Sequence, residues 1–123
     1  RVHMDDYHRQ AALLKAIGHP IRLRIVDLLR CEPECVCHLS AALDKSQPYV
    51  SQQLAILRNA GVIVDEREGT NIFYRLADEN VVRQVEAACG ARACAPQEDA
   101  ATARQALHGC NCPKCSGTLT GRG

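Results

Sequence analysis

The chain has no tryptophan, one phenylalanine and three tyrosines among its 123 residues. A core of stacked rings is therefore excluded. The interior has to be packed from Leu, Ile, Val and Ala, which suits helices laid against one another. Charge of one sign is also lacking: 15 Lys and Arg stand against 14 Asp and Glu, a formal net charge of +1. No broad field advertises a polyanionic partner, so any nucleic-acid binding has to come from local placement of side chains. No apolar run approaches the ~18 residues of a membrane-spanning helix, and the first residues lack the apolar block of a secretory signal. These absences give the expectation of a cytoplasmic protein without a membrane partner.

Cysteine, by contrast, is abundant, with eight in the chain. In a reducing cytoplasm such density points to metal ligation or redox chemistry sooner than to structural disulfides. The spacings Cys35-x-Cys37 and Cys110-x-Cys112-x-x-Cys115 crowd thiols as chelation requires. No Cys/His/Asn set, no Cys-x-x-Cys opening a helix after a strand and no phosphate loop is present, so an enzyme is not expected.

Periodicity and punctuation predict the elements. A first helix over 5–17 has Ala11, Leu14 and Ile17 inward and ends at Gly18. Pro20 sits early in a second helix, where its missing N–H costs nothing; Ile21, Ile25, Leu28 and Leu29 form its inner face, with Arg22 and Arg24 outside. Val36, Leu39 and Leu43 give a short third helix, and Ser46 caps a fourth, lined inside by Val50, Leu54 and Leu57 and ended by Gly61. The runs 62–66 and 72–76 around the polar tip 67–71 predict a β-hairpin. Asp78 caps a fifth helix carrying Val81, Val82 and Val85, and Gly90 ends it. A further helix over 96–108 and a cysteine-rich tail follow.

Two short helices, a tight turn and then a charged hairpin predict an α+β, mainly helical fold: a winged helix-turn-helix. The second helix of such a pair enters the major groove. Its exposed early positions are Ser46, Gln47, Tyr49, Ser51 and Gln52, and the hairpin tip offers Arg67, Thr70 and Asn71. Gln can bond an adenine edge in bidentate fashion, and Ser a base or a phosphate. The only cation on that helix is Arg58, near its far end, so binding as a pair on a palindrome is expected rather than attraction by charge alone.

The stretch from His19-Pro20 through Cys35-Val36-Cys37 and Ser46-Gln47-Pro48-Tyr49-Val50-Ser51 to Tyr74-Arg75-Leu76 resembles the ArsR/SmtB winged-helix repressors, most closely their CVC-type arsenic-, cadmium- and lead-sensing branches. The resemblance covers about residues 11–88. It implies a homodimer joined through the first and last helices, with 1–90 as the DNA-binding and dimerisation domain, 91–109 as an added helix and 110–123 as a tail. It implies a repressor held on operator DNA until an inducer binds. It also implies that Cys35 and Cys37 are thiolate ligands for As(III), Cd(II) or Pb(II), with Zn(II) also admitted by ligand softness.

The arsenic-sensing pattern continues to a third cysteine at the position of Ser40, so completion falls to other thiols. Cys110, Cys112 and Cys115 are the candidates, with Cys31 as another; alternatively the tail forms a separate zinc or copper knuckle with Cys94 or His108. The carboxylate and imidazole site of the zinc-sensing branch is not expected, because residues 78–89 contain no His. Cys89 is read as a small buried hydrophobe; His38, which follows the CVC pair, could be a ligand but reads more simply as a polar residue at an exposed helical start. A thiol-redox or reactive-sulfur-sensing repressor remains the alternative; similar repressors that work this way use a widely separated pair, whereas Cys35 and Cys37 would close a tight, strained ring that makes a poor reversible disulfide.

Overall fold

A computed structural model describes residues 3–91, 93 and 94. The expected helix over 96–108 and the tail with Cys110, Cys112 and Cys115 lie outside the described residues. The order is α1 (Met4–Ile17), α2 (Pro20–Leu29), α3 (Val36–Leu43), α4 (Gln47–Asn59), β1 (Ile63–Glu68), β2 (Asn71–Leu76) and α5 (Glu79–Cys89). The winged-helix expectation is borne out element by element. No helix among the described residues is long and apolar enough to cross a membrane.

Local chemistry sets the boundaries. Pro20 opens α2 while the His19 ring accepts the Ile21 N–H at 3.2 Å. Ser46 Oγ accepts the Tyr49 N–H at 3.3 Å and Asp78 Oδ1 the Val81 N–H at 3.0 Å, so the caps predicted for α4 and α5 are in place. Gly90, at φ +90°, stops α5 in a conformation other residues rarely adopt.

The core joins every helix to the hairpin. Ile25, Val26, Leu39, Val50, Leu54, Leu57, Val62, Ile63, Val81 and Val85 are fully buried. No large ring is among them, as the composition required. On α1 the predicted inner face is rotated: Leu13, Ala16 and Ile17 are buried, whereas Leu14 is 57% exposed and shares the outer surface with Met4 and Tyr7. Helical spacing alone permits either stripe, because Leu13 and Leu14 are both apolar.

Arg22 also departs from its expected place on the outside of α2. Its Nε donates to Ala16 O at 2.6 Å and its Nη1 to Gln53 Oε1 at 3.0 Å, with Gln53 buried at 8% exposure. One guanidinium thus ties the end of α1 to the middle of α4.

The hairpin is antiparallel and pairs Ile63 with Leu76 through Glu68 with Asn71. Its turn is therefore shorter than the sequence suggests. Only Gly69 and Thr70 connect the strands, Gly69 at φ +63°, the glycine-first form of a two-residue turn. Glu34 adds an antiparallel bridge to Tyr74, donating at 3.0 Å and accepting at 2.8 Å. The loop before α3 is thereby fastened to the wing.

Candidate functional site

The face expected to read DNA is built from α3, its turn and α4. Asp44 ends α3 in the left-handed region at φ 55°, which Asp tolerates better than most residues. The hydroxyl of Ser40, almost fully buried, donates to the Lys45 carbonyl and closes the turn. This explains a hydroxyl where the arsenic-sensing pattern has a thiol: the side chain is engaged with the backbone of the turn. The turn then delivers Ser46 as the cap of α4.

Gln47, Ser51 and Gln52 are exposed on the first turns of α4, as predicted, and Ser46 beside them is exposed while capping. Tyr49 differs: it is half-buried and packed against the core, so it offers at most one edge. At the hairpin Thr70 is exposed in the turn and Arg67 is exposed on β1. Asn71 is half-buried and belongs to β2 rather than to the tip. Arg58, the one cation on α4, meets Asp65 of β1 at 3.5 Å, which spends part of its field inside the protein. Tyr74 lies beside that pair; burial first, and then the Asp65 charge, raise its phenol above the ordinary value of 10.0, while Arg58 opposes them.

The cysteines fall into two places. Cys35 is the N-cap of α3: it is 5% exposed, and its Sγ accepts the His38 N–H at 3.4 Å. Cys35 packs against buried Phe73 of β2, with half-buried Cys37 beside them. A groove of about 400 Å³ runs from Cys37 past Ser40 and Asp44 to Ser46 and Gln47, the first residues of the reading helix. A helix N-terminus favours thiolate over thiol, and two soft donors here suit a soft ion. Among the described residues no three His, Cys, Asp or Glu side chains form a group able to hold a metal ion.

Cys31 and Cys94 form a disulfide across 63 residues, joining the end of α2 to the segment after α5. The sequence left both residues open between ligation and other roles; sulfurs bonded to each other are not thiolate ligands in this state, whether for Cys35 and Cys37 or for a tail knuckle. Sequence spacing could not reveal the pairing, since it depends on how α5 lies on α2. Cys89 is half-buried against the core, near its expected role. His38 is corrected. It is not an exposed polar residue but lies 2.6 Å from the Glu34 carboxylate, with both side chains largely buried.

With this geometry in place, the comparisons with known proteins fall on the same elements. The model "Bacterial regulatory protein, arsR family" matches residues 19–64, from the cap of α2 into β1. The Biofilm growth-associated repressor of Agrobacterium fabrum is 45% identical over 89 residues, 72% of this chain and 75% of that protein. The Arsenical resistance operon repressor of Escherichia coli is 46% identical over 66 residues, 53% of this chain and 56% of that one, so the chain spans about half of that relative. Among solved structures, the homodimeric winged helix-turn-helix domain of Mb0332 from Mycobacterium bovis superposes with a TM-score of 0.66 at 29% identity, covering 69% of this chain and 79% of that one. The chain belongs to the ArsR/SmtB family of winged-helix transcriptional regulators and is a DNA-binding protein, not an enzyme.

Proposed function

We propose that the chain is a cytoplasmic, homodimeric repressor that holds palindromic double-stranded operator DNA and leaves it when a soft metal or metalloid binds its thiolates. The inducer is As(III), Cd(II) or Pb(II), and Zn(II) fits the same donors. Cys35 and Cys37 are the first ligands, completed by Cys110, Cys112 and Cys115 from the tail. Ser46, Gln47, Ser51 and Gln52 face the major groove, Tyr49 adds an edge, and Arg67, Thr70 and Asn71 meet the backbone or minor groove.

The observation that carries this reading is the position of Cys35. Its sulfur caps α3 and packs on Phe73 of the wing, so an ion there bears at once on the helix before the reading helix and on the hairpin. The arsenical repressor among the relatives supports the class of inducer. The test is an anaerobic titration of the reduced protein with Cd(II) and then As(III), following sulfur-to-metal charge-transfer absorption and release of labelled DNA together. Saturation near one ion per protomer with parallel release is expected. Release that persists in the Cys35→Ser/Cys37→Ser double variant would refute the assignment.

The Cys31–Cys94 disulfide favours a second reading, a thiol-redox repressor whose two states differ by this bond. It meets the requirement for a widely separated pair. Under this reading, DNA affinity changes between oxidised and reduced protein in the absence of any metal, and the change vanishes in Cys31→Ser.

A further inference from the structure

The two sulfurs of the disulfide have unlike surroundings. Cys31 is exposed just beyond α2. Cys94, also exposed, has its sulfur 3.9 Å from Arg30 Nη1. That guanidinium is largely buried and held in place, with Nε 3.3 Å from Asp27 Oδ1 and Nη1 3.6 Å from Glu86 Oε2. A cleft of about 870 Å³ opens on the bond; besides these groups its charged and titratable lining is Arg24, Glu32, Glu34, His38 and Cys89.

We propose that this cleft admits a small-molecule thiol and that Arg30 gives the exchange a direction: the incoming thiolate attacks Cys31 Sγ, and Cys94 leaves as the thiolate. The inference rests on the thiol-redox reading and adds to it which sulfur is struck. In thiol–disulfide exchange the sulfur that leaves is the one better able to carry negative charge, and a cation within a few ångströms confers that ability. Asp27 and Glu86 take part of the guanidinium's field. They also fix its position, and they lie on α2 and α5 with the cation between them.

Atoms and electrons balance in two steps. First, RS⁻ bonds to Cys31 Sγ, the Cys31–Cys94 bond breaks, and its electron pair stays on Cys94. Second, another RS⁻ attacks the R-bearing sulfur of the adduct, giving RSSR and the Cys31 thiolate. Two small thiols are oxidised to one disulfide, and the protein disulfide is reduced to two thiolates. Arg30 is a positioning residue that acts through the leaving sulfur, to which its Nη1 is 3.9 Å.

The experiment uses the full chain, air-oxidised, with its remaining accessible thiols alkylated by iodoacetamide. Limited glutathione is added, the reaction is quenched with N-ethylmaleimide, and the peptides are mapped by mass spectrometry. Glutathione on Cys31 with maleimide on Cys94 is expected, favoured by roughly tenfold over the reverse. Equal labelling, or glutathione on Cys94, overturns the proposal without any variant. In Arg30→Gln, opening should slow several-fold and the partition fall towards even, while Arg30→Lys keeps the wild-type sense; an unchanged partition in Arg30→Gln overturns the role of Arg30. Intact mass of the oxidised starting protein separates the two levels: with no disulfide there, the thiol-redox reading fails and this inference with it. A disulfide that opens at the wrong sulfur sinks this inference alone.

Discussion

Single side chains decide how the reading helix is presented. Ser46 caps α4, and Ser40 closes the turn before it. Ser46→Ala should lower stability by about 1 kcal/mol in urea denaturation. Ser40→Ala should lower it by about 0.5–1.5 kcal/mol, because the hydrogen bond from the buried hydroxyl to the Lys45 carbonyl is lost. Tyr74 gives the fold a pH signature. Its phenol titrates higher in the folded protein than in the unfolded chain, so the folded state holds the proton more tightly. The stability this contributes is complete below about pH 10 and is lost as pH rises through the folded value. Stability measured against pH should therefore fall more steeply above pH ~10 in the wild type than in Tyr74→Phe; parallel curves would show that the phenol carries no such linkage.

At the scale of elements, the coupling between helices rests on polar ties as much as on the aliphatic core. Arg22 binds the last turn of α1 to Gln53 on the inner side of α4. A double-mutant cycle with Arg22→Met and Gln53→Leu should show an interaction of about 0.5–3 kcal/mol, and additive effects would mean the two side chains act separately. This tie marks where sequence reading stops. The helices and the hairpin were legible because Pro20, Ser46, Asp78 and Gly90 punctuate them and Val50, Leu54 and Leu57 repeat at helical spacing. Gln47, Ser51 and Gln52 were legible for the same reason: they face away from that repeat. Arg22 was not, since an arginine on an amphipathic helix reads as solvated unless its distant acceptors are known. The same holds for His38 with Glu34, and for Cys31 with Cys94. In each pair the partner is set by packing and not by periodicity, although His38 and Glu34 are only four residues apart. The turn at Gly69 was misjudged in length for a different reason: Arg67, Glu68 and Asn71 are polar wherever the strands end.

For the whole molecule, the near-neutral charge has a consequence for DNA binding. Beside the reading face stand Lys45 in the turn, Arg67 on the wing and Arg58, which is partly occupied by Asp65. Two available cations per protomer predict a shallow salt dependence, with log K against log[salt] sloping at about −4 for a dimer. Fluorescence anisotropy over a salt series measures it, and a slope near −10 would mean that cations from outside the described residues reach the DNA.

The Cys31–Cys94 bond also has a topological meaning. It closes the chain into a covalent ring that contains α3, α4, the whole hairpin and α5; among the described elements α1 and α2 lie outside it. Opening the ring lengthens the unfolded chain's reach and by loop-closure entropy removes about 4 kcal/mol of stability. A protease that nicks the exposed turn at Gly69 and Thr70 therefore cannot release the reading helix from the oxidised protein. The two pieces travel as one band until a reductant is added, so the nicked form would reveal the ring on a gel before any assay of DNA binding is run.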